Sequence, residues 1–129
     1  MALTETVKVG SHRITLRASA LVPRLYRAKF GRDMVADMNI LRKSYNKAAN
    51  LPDDATEEEK QDAQLSVLDL TIFENVAYIM AKHANKNVPS DPDAWLDSIP
   101  GVFSIYEMMP VILRLWDGNK KSTSIPSKK

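Results

Sequence analysis

Val7, Val9, Ile14 and Leu16 alternate with polar residues across TETVKV (4–9) and HRITLR (12–17). Apolar residues at every second position mark a half-buried strand. Gly10-Ser11 leaves a two-residue turn in which glycine supplies a positive φ. The expectation is a β-hairpin over about 4–17, and a lone hairpin holds only when it packs on something.

After the hairpin the period lengthens to that of a helix. Ser19 caps a predicted helix over about 20–30, with Pro23 early enough to cost little and Leu21, Leu25, Ala28 and Phe30 on its apolar side. Gly31 is a natural stop. Asp33 caps a second helix, about 34–49, where Met34, Met38, Leu41 and Tyr45 recur at helical spacing. NLPDDAT (50–56) is a connector. Thr56 and Glu59 form a capping box, with three acids in one first turn suited to the helix dipole. A long helix is predicted from there to about 85. Leu65, Leu68, Ile72, Val76, Ile79 and His83 hold one face, with Leu70, Phe73 and Met80 beside it. Asp91-Pro92 opens a short helix, about 92–98, carrying Trp95 and Leu96.

The last predicted helix, about 105–117, lies in FSIYEMMPVILRLW (103–116) and is opened by the capping box Ser104-x-x-Glu107. Glu107, Pro110, Arg114 and Asp117 share one stripe, so Pro110 bends the helix on its polar side instead of ending it. Ile105, Met108, Met109, Ile112, Leu115 and Trp116 fill an arc broader than the apolar stripe of about 100° that a surface helix needs. Either the domain nearly encloses this helix or a partner covers part of it. The Lys/Ser-rich residues 119–129 read as a disordered basic tail. The fold class is mainly α with an N-terminal β-hairpin (α+β), one small helical domain over residues 1–118.

Composition narrows the chemistry. The absence of cysteine removes disulfides, thiolate metal sites and a Cys nucleophile. The start, MALTETVKVG, is too polar for the apolar region of a signal peptide, and no apolar run reaches the length of a membrane span. His12 and His83 have no carboxylate or second histidine at ligand spacing, so no metal is expected. No nucleophile elbow and no phosphate-cradling glycine loop occurs. No cofactor and no enzymatic activity are expected.

The net charge of +2 conceals an uneven distribution. Residues 1–50 sum to +7, residues 51–119 to −9 and the last ten to +4. A basic half can meet nucleic acid, an acidic partner or the acidic half of another copy. RLYRAKFGRDMVADMNILRK (24–43) has the outline of a helix-turn-helix, but Asp33 and Asp37 fall where a recognition helix would approach phosphates.

PRLYRAKFGRDMVADMNIL after the hairpin, FENVAYIMAKHA (73–84), AWLDSI (94–99) and FSIYEMMPVILRLW (103–116) together resemble the tail assembly chaperones of long-tailed phages and prophages of Gram-positive bacteria. The resemblance covers about residues 5–117. It implies a non-enzyme that binds the tape measure protein and keeps it soluble until the tail tube forms. It also implies a host-cytoplasmic location and absence from the mature virion. A longer form made by ribosomal frameshifting would contact the tail tube protein through its extension, and Lys120-Lys121 is the expected slip site. Tyr106, Met108, Met109, Ile112 and Trp116 are the expected client contacts. Arg24, Arg27 and Lys29 are expected to meet an acidic partner or another copy in a homo-oligomer. The alternatives are a small DNA-binding module and a structural tail or head-completion protein.

Overall fold

The computed structural model describes residues 3–100 and the chain from 103 to 124. It is mainly α with an N-terminal hairpin, in the order β1 (Leu3–Val9), β2 (His12–Ala18), α1 (Val22–Phe30), α2 (Met34–Ala49), α3 (Glu57–Asp62), α4 (Val67–Ala84), α5 (Pro92–Asp97) and α6 (Ile105–Ser124).

The strands pair antiparallel with Val9 opposite His12 and Val7 opposite Ile14. Gly10 takes φ 62° while Ser11 does not take a positive φ, which is the pattern of a type II′ turn. Ile14, Leu16 and Ala18 turn inward onto α4, and Thr4, Thr6, Lys8 and Arg13 are exposed on the other face.

The first helix starts at Val22, two residues later than expected. Its N-cap is Leu21, and the Ser19 hydroxyl accepts the Leu21 N–H from outside the helix. Val22 and Tyr26, four apart, are its buried residues, whereas Leu21 and Ala28 are exposed and Leu25 and Phe30 half-buried. Gly31 ends it at φ 68° and donates its N–H to the Arg27 carbonyl. Asp33 caps α2 as expected, accepting the N–H groups of Val35 and Ala36.

The long helix expected over 57–85 is two helices. Its first turn forms as α3, with the Thr56–Glu59 capping box in place. The chain then leaves the helix at Ala63, and a second capping box, Ser66 with Asp69, starts α4. Each side chain of that box accepts the other residue's backbone N–H, at 3.0 and 2.9 Å. Two satisfied helix ends replace one continuous ladder. The break also changes the exposed face: Leu68 and Leu70, expected on the apolar side, are exposed, and Val67 is 82% exposed.

From Ile72 onward α4 is the axis of the domain, in contact with β2, α1, α2, α5 and α6. Ile72, Phe73 and the whole run Val76–Ala81 are buried, as expected of a helix covered on every side. Phe73 stacks on Phe103 at 5.1 Å, and the edge of Trp95 meets both Tyr78 and Phe103. α6 lies against β1, β2, α2 and α4. It extends to Ser124, so the start of the expected disordered tail is helical, and residues 125–129 lie outside those described.

Candidate protein-binding surface

The apolar arc of α6 is covered by the fold itself. Met108, Met109 and Ile112 have no exposed surface and Trp116 keeps 7%, so four of the five expected client contacts belong to this chain's own core. The hairpin, α2 and α4 close around the helix from three directions, so of the two alternatives for its broad apolar arc enclosure by the domain holds, and the expected client contacts there are corrected. Tyr106 alone remains outside, 54% exposed, with its ring 6.1 Å from that of Tyr45. Pro110 and Arg114 are exposed as expected, and Arg114 forms a two-pronged ion pair with Glu5 on β1. That pairing holds the Glu5 carboxyl below its usual range, the hydrogen bond from Arg114 being the main cause.

Arg24, Arg27 and Lys29 are exposed on α1. Lys29 donates its ammonium to the Ser90 carbonyl at 2.7 Å and so bridges α1 to the loop after α4. Beside it runs a groove of about 350 Å³ between α1 and α4, floored by Leu25, Ala28, Tyr78 and Ile79. Lys29 and Lys82 stand at its rim. Lys82 donates to the carbonyls of Lys86 and Val88, and Tyr78 donates its hydroxyl to the Pro89 carbonyl at 2.7 Å. These bonds fix the loop that forms the far wall. Neither Arg24 nor Arg27 lines the groove. The structure thus brings Lys29 alone of the three expected basic contacts to an apolar groove, and separates it from the α6 residues. Leu25 and Ala28 were legible in sequence as an apolar pair; their lack of cover was not.

A second hollow, about 280 Å³, lies where Leu51, Ala63, Leu65 and Tyr106 converge at the α3–α4 break. With Val67 and Leu68 following Ser66, this end of the molecule also carries exposed apolar side chains.

Two polar clusters are structural. Asp37, 2% exposed, accepts the Tyr26 hydroxyl at 2.7 Å and a two-pronged bond from Arg32. Asp33 and Asp37, the acids that spoke against a recognition helix, are thus engaged in a cap and a half-buried ion pair. His83 Nε2 lies 2.8 Å from the Ser19 hydroxyl and ties the end of α4 to the start of α1. Burial, with Arg17 adding repulsion, lowers the His83 pKa. Among the described residues no three His, Asp or Glu side chains converge as metal ligands, and no helix is long and apolar enough to cross a membrane. Comparison with known protein families, with curated proteins and with solved structures finds no match to this chain.

Proposed function

We propose that the protein is a tail assembly chaperone of a long-tailed phage or prophage, holding apolar helical segments of the tape measure protein before the tail tube forms. The observation that carries this reading is the uncovered groove between α1 and α4, apolar on its floor and cationic at its rim. An amphipathic helix laid into such a groove buries its apolar stripe, and flanking acids on that helix meet Lys29 and Lys82. The four sequence blocks that resemble the family supply the identity of the client. The contact surface therefore moves from α6, whose apolar side chains are enclosed, to α1 and α4, with Tyr106 and the α3–α4 break as a second exposed apolar area.

The frameshift fits the same reading. Lys120-Lys121 lies within α6, so a longer product made there would leave the preceding core intact and project its extension toward the tail tube protein.

The test is co-expression with fragments of the tape measure protein from the same genome, scored as the soluble client fraction. The native chain is expected to raise that fraction, and Leu25→Glu with Ala28→Glu to abolish the gain in a chain that still melts cooperatively, at a lower temperature because Leu25 is half-buried. Equal rescue by the double variant overturns the groove assignment. Recovery of the protein from purified virions by mass spectrometry overturns the chaperone role in favour of a structural one.

A further inference from the structure

Among the described residues neither outer edge of the hairpin has a backbone partner, and a cleft runs along that of β2. A two-residue turn makes Val9 and His12 the closing hydrogen-bonded pair. Antiparallel alternation then directs the backbone groups of His12, Ile14 and Leu16 to β1, and those of Arg13 and Thr15 away from it. Among the described residues, no other backbone group bonds to Arg13 or Thr15. A cleft of about 620 Å³ has His12, Arg13, Ile14 and Thr15 along one wall. Side chains of successive strand residues point to opposite faces, so four in a row line a cleft only along the strand's edge. The opposite wall offers apolar Ala84, Val88 and Trp95 with the amides of Asn85 and Asn87. The cleft shares no lining residue with the groove between α1 and α4.

We propose that this cleft takes an extended peptide segment, paired as a third strand on the free edge of β2 and bearing acidic residues at alternate positions. Backbone pairing supplies a sequence-independent part of the affinity, and the alternating side chains supply the selection. Residues of the added strand that share the outer face sit beside Arg13 and Arg17, and that face holds Lys8 as well and no carboxylate. Oppositely charged neighbours across strands stabilise and like charges do the reverse. Residues on the inner face meet Ala84, Val88 and Trp95, which suits small apolar side chains. No carboxylate lines the cleft. A second copy is a poor occupant: two-fold pairing about Thr15 sets Arg13 of one copy opposite Arg17 of the other.

The test is an NMR titration of the full chain with an acetylated, amidated peptide of four Glu-Val repeats. Saturable shifts are expected at the amides of His12–Thr15 and at Val88. The Lys-Val counterpart is expected to bind at least about tenfold more weakly, a difference of about 1.4 kcal/mol. Methylating the Glu amide nitrogens removes the donors that face β2 and is expected to abolish binding with the protein unchanged. Thr15→Pro removes an outward N–H without taking a backbone bond from the hairpin, losing there only the exposed hydroxyl contact with Thr6, and is expected to weaken binding to a similar degree, which Thr15→Val, lacking the hydroxyl alone, should not. Arg13→Glu is expected to reverse the preference between the two peptides. Absence of shifts at His12–Thr15, or unchanged binding by the methylated peptide, overturns the proposal. Concentration-dependent dimerisation that Thr15→Pro abolishes also overturns it, by giving the edge to a second copy.

Discussion

Tyr26 on α1 donates its hydroxyl to Asp37 on α2 at 2.7 Å, inside the corner that the two helices make around Gly31. Arg32, in the turn between them, reaches the same carboxylate with two nitrogens at 2.7 and 2.8 Å. One buried acid thus receives three hydrogen bonds and sets the angle between two helices. The ion pair itself is weak evidence for net stability, because Asp37 loses its water while Arg32 stays largely exposed. Removing the acceptor leaves the buried Tyr26 hydroxyl without its partner, whereas water can meet the guanidinium.

Asp37→Ala is therefore expected to cost about 1–3 kcal/mol, and Tyr26→Phe, which leaves Arg32 in place, only about 1 kcal/mol. Urea denaturation of both variants checks the ratio. The Arg32 hydrogen bonds are the largest cause of the lowered Asp37 pKa, with burial opposing them and Tyr26 adding to them. A carboxyl lowered in the fold stabilises above its unfolded pKa of about 3.9, and that contribution is lost as pH falls through the lower folded value. Acid denaturation of Asp37→Asn should lack this component.

The Ser66–Asp69 box makes a separable prediction. Ser66→Ala leaves the Asp69 N–H without its cap and should cost about 1 kcal/mol. If the break between α3 and α4 depends on this cap, the variant will also gain helical content across 63–66, seen as added amide protection in hydrogen exchange. A loss of stability without that gain assigns the break to packing of Ala63, which is buried.

These two clusters also mark where sequence reading stopped. The hairpin, the Asp33, Thr56 and Asp91 caps and the Gly31 stop were legible because each is decided within a few neighbouring residues. Ser66 was as good a cap as Thr56, yet Leu65, Leu68 and Ile72 carry helical spacing straight through it. Local pattern could not rank the two signals. The α6 arc failed for a different reason: its apolar width is real, but the number of elements that close around it is a property of the tertiary fold. The buried Tyr26–Asp37 pair was hidden for the same reason, since neither residue type announces burial. Of the surface residues, Arg24, Arg27 and Lys29 were placed by charge alone, and only the packing of α1 on α4 showed which of them border a groove.

His83 gives a pH-dependent prediction near neutrality. Its imidazole bonds Ser19 and has Arg17 nearby, and burial is the main cause of its lowered pKa. Protonation is thus easier in the unfolded chain. The contribution is present above the unfolded pKa of about 6.5 and is lost as pH falls through the lower folded value. The melting temperature should decline from about pH 7.5 to 5.5. His83→Gln should be less stable at the upper end and show a shallower decline. An equal slope in both proteins assigns the pH dependence to another group.

Pro110 tests whether a proline inside α6 serves the fold. Proline at this position removes the N–H that would bond the Tyr106 carbonyl, and both residues are exposed, so water can meet that carbonyl. An interior proline costs a helix about 3 kcal/mol, offset by up to about 1 kcal/mol because proline also restricts the unfolded chain. Part of the rest is absorbed by the packing of Met108, Met109 and Ile112, which are fully buried beside the proline. Pro110→Ala is therefore expected to stabilise by about 1–2 kcal/mol, read as a raised urea midpoint with an unchanged slope. A destabilised variant would show that α6 needs its proline to keep Glu5 and Arg114 paired while seating both methionines, making Pro110 a requirement of packing between the hairpin and α4.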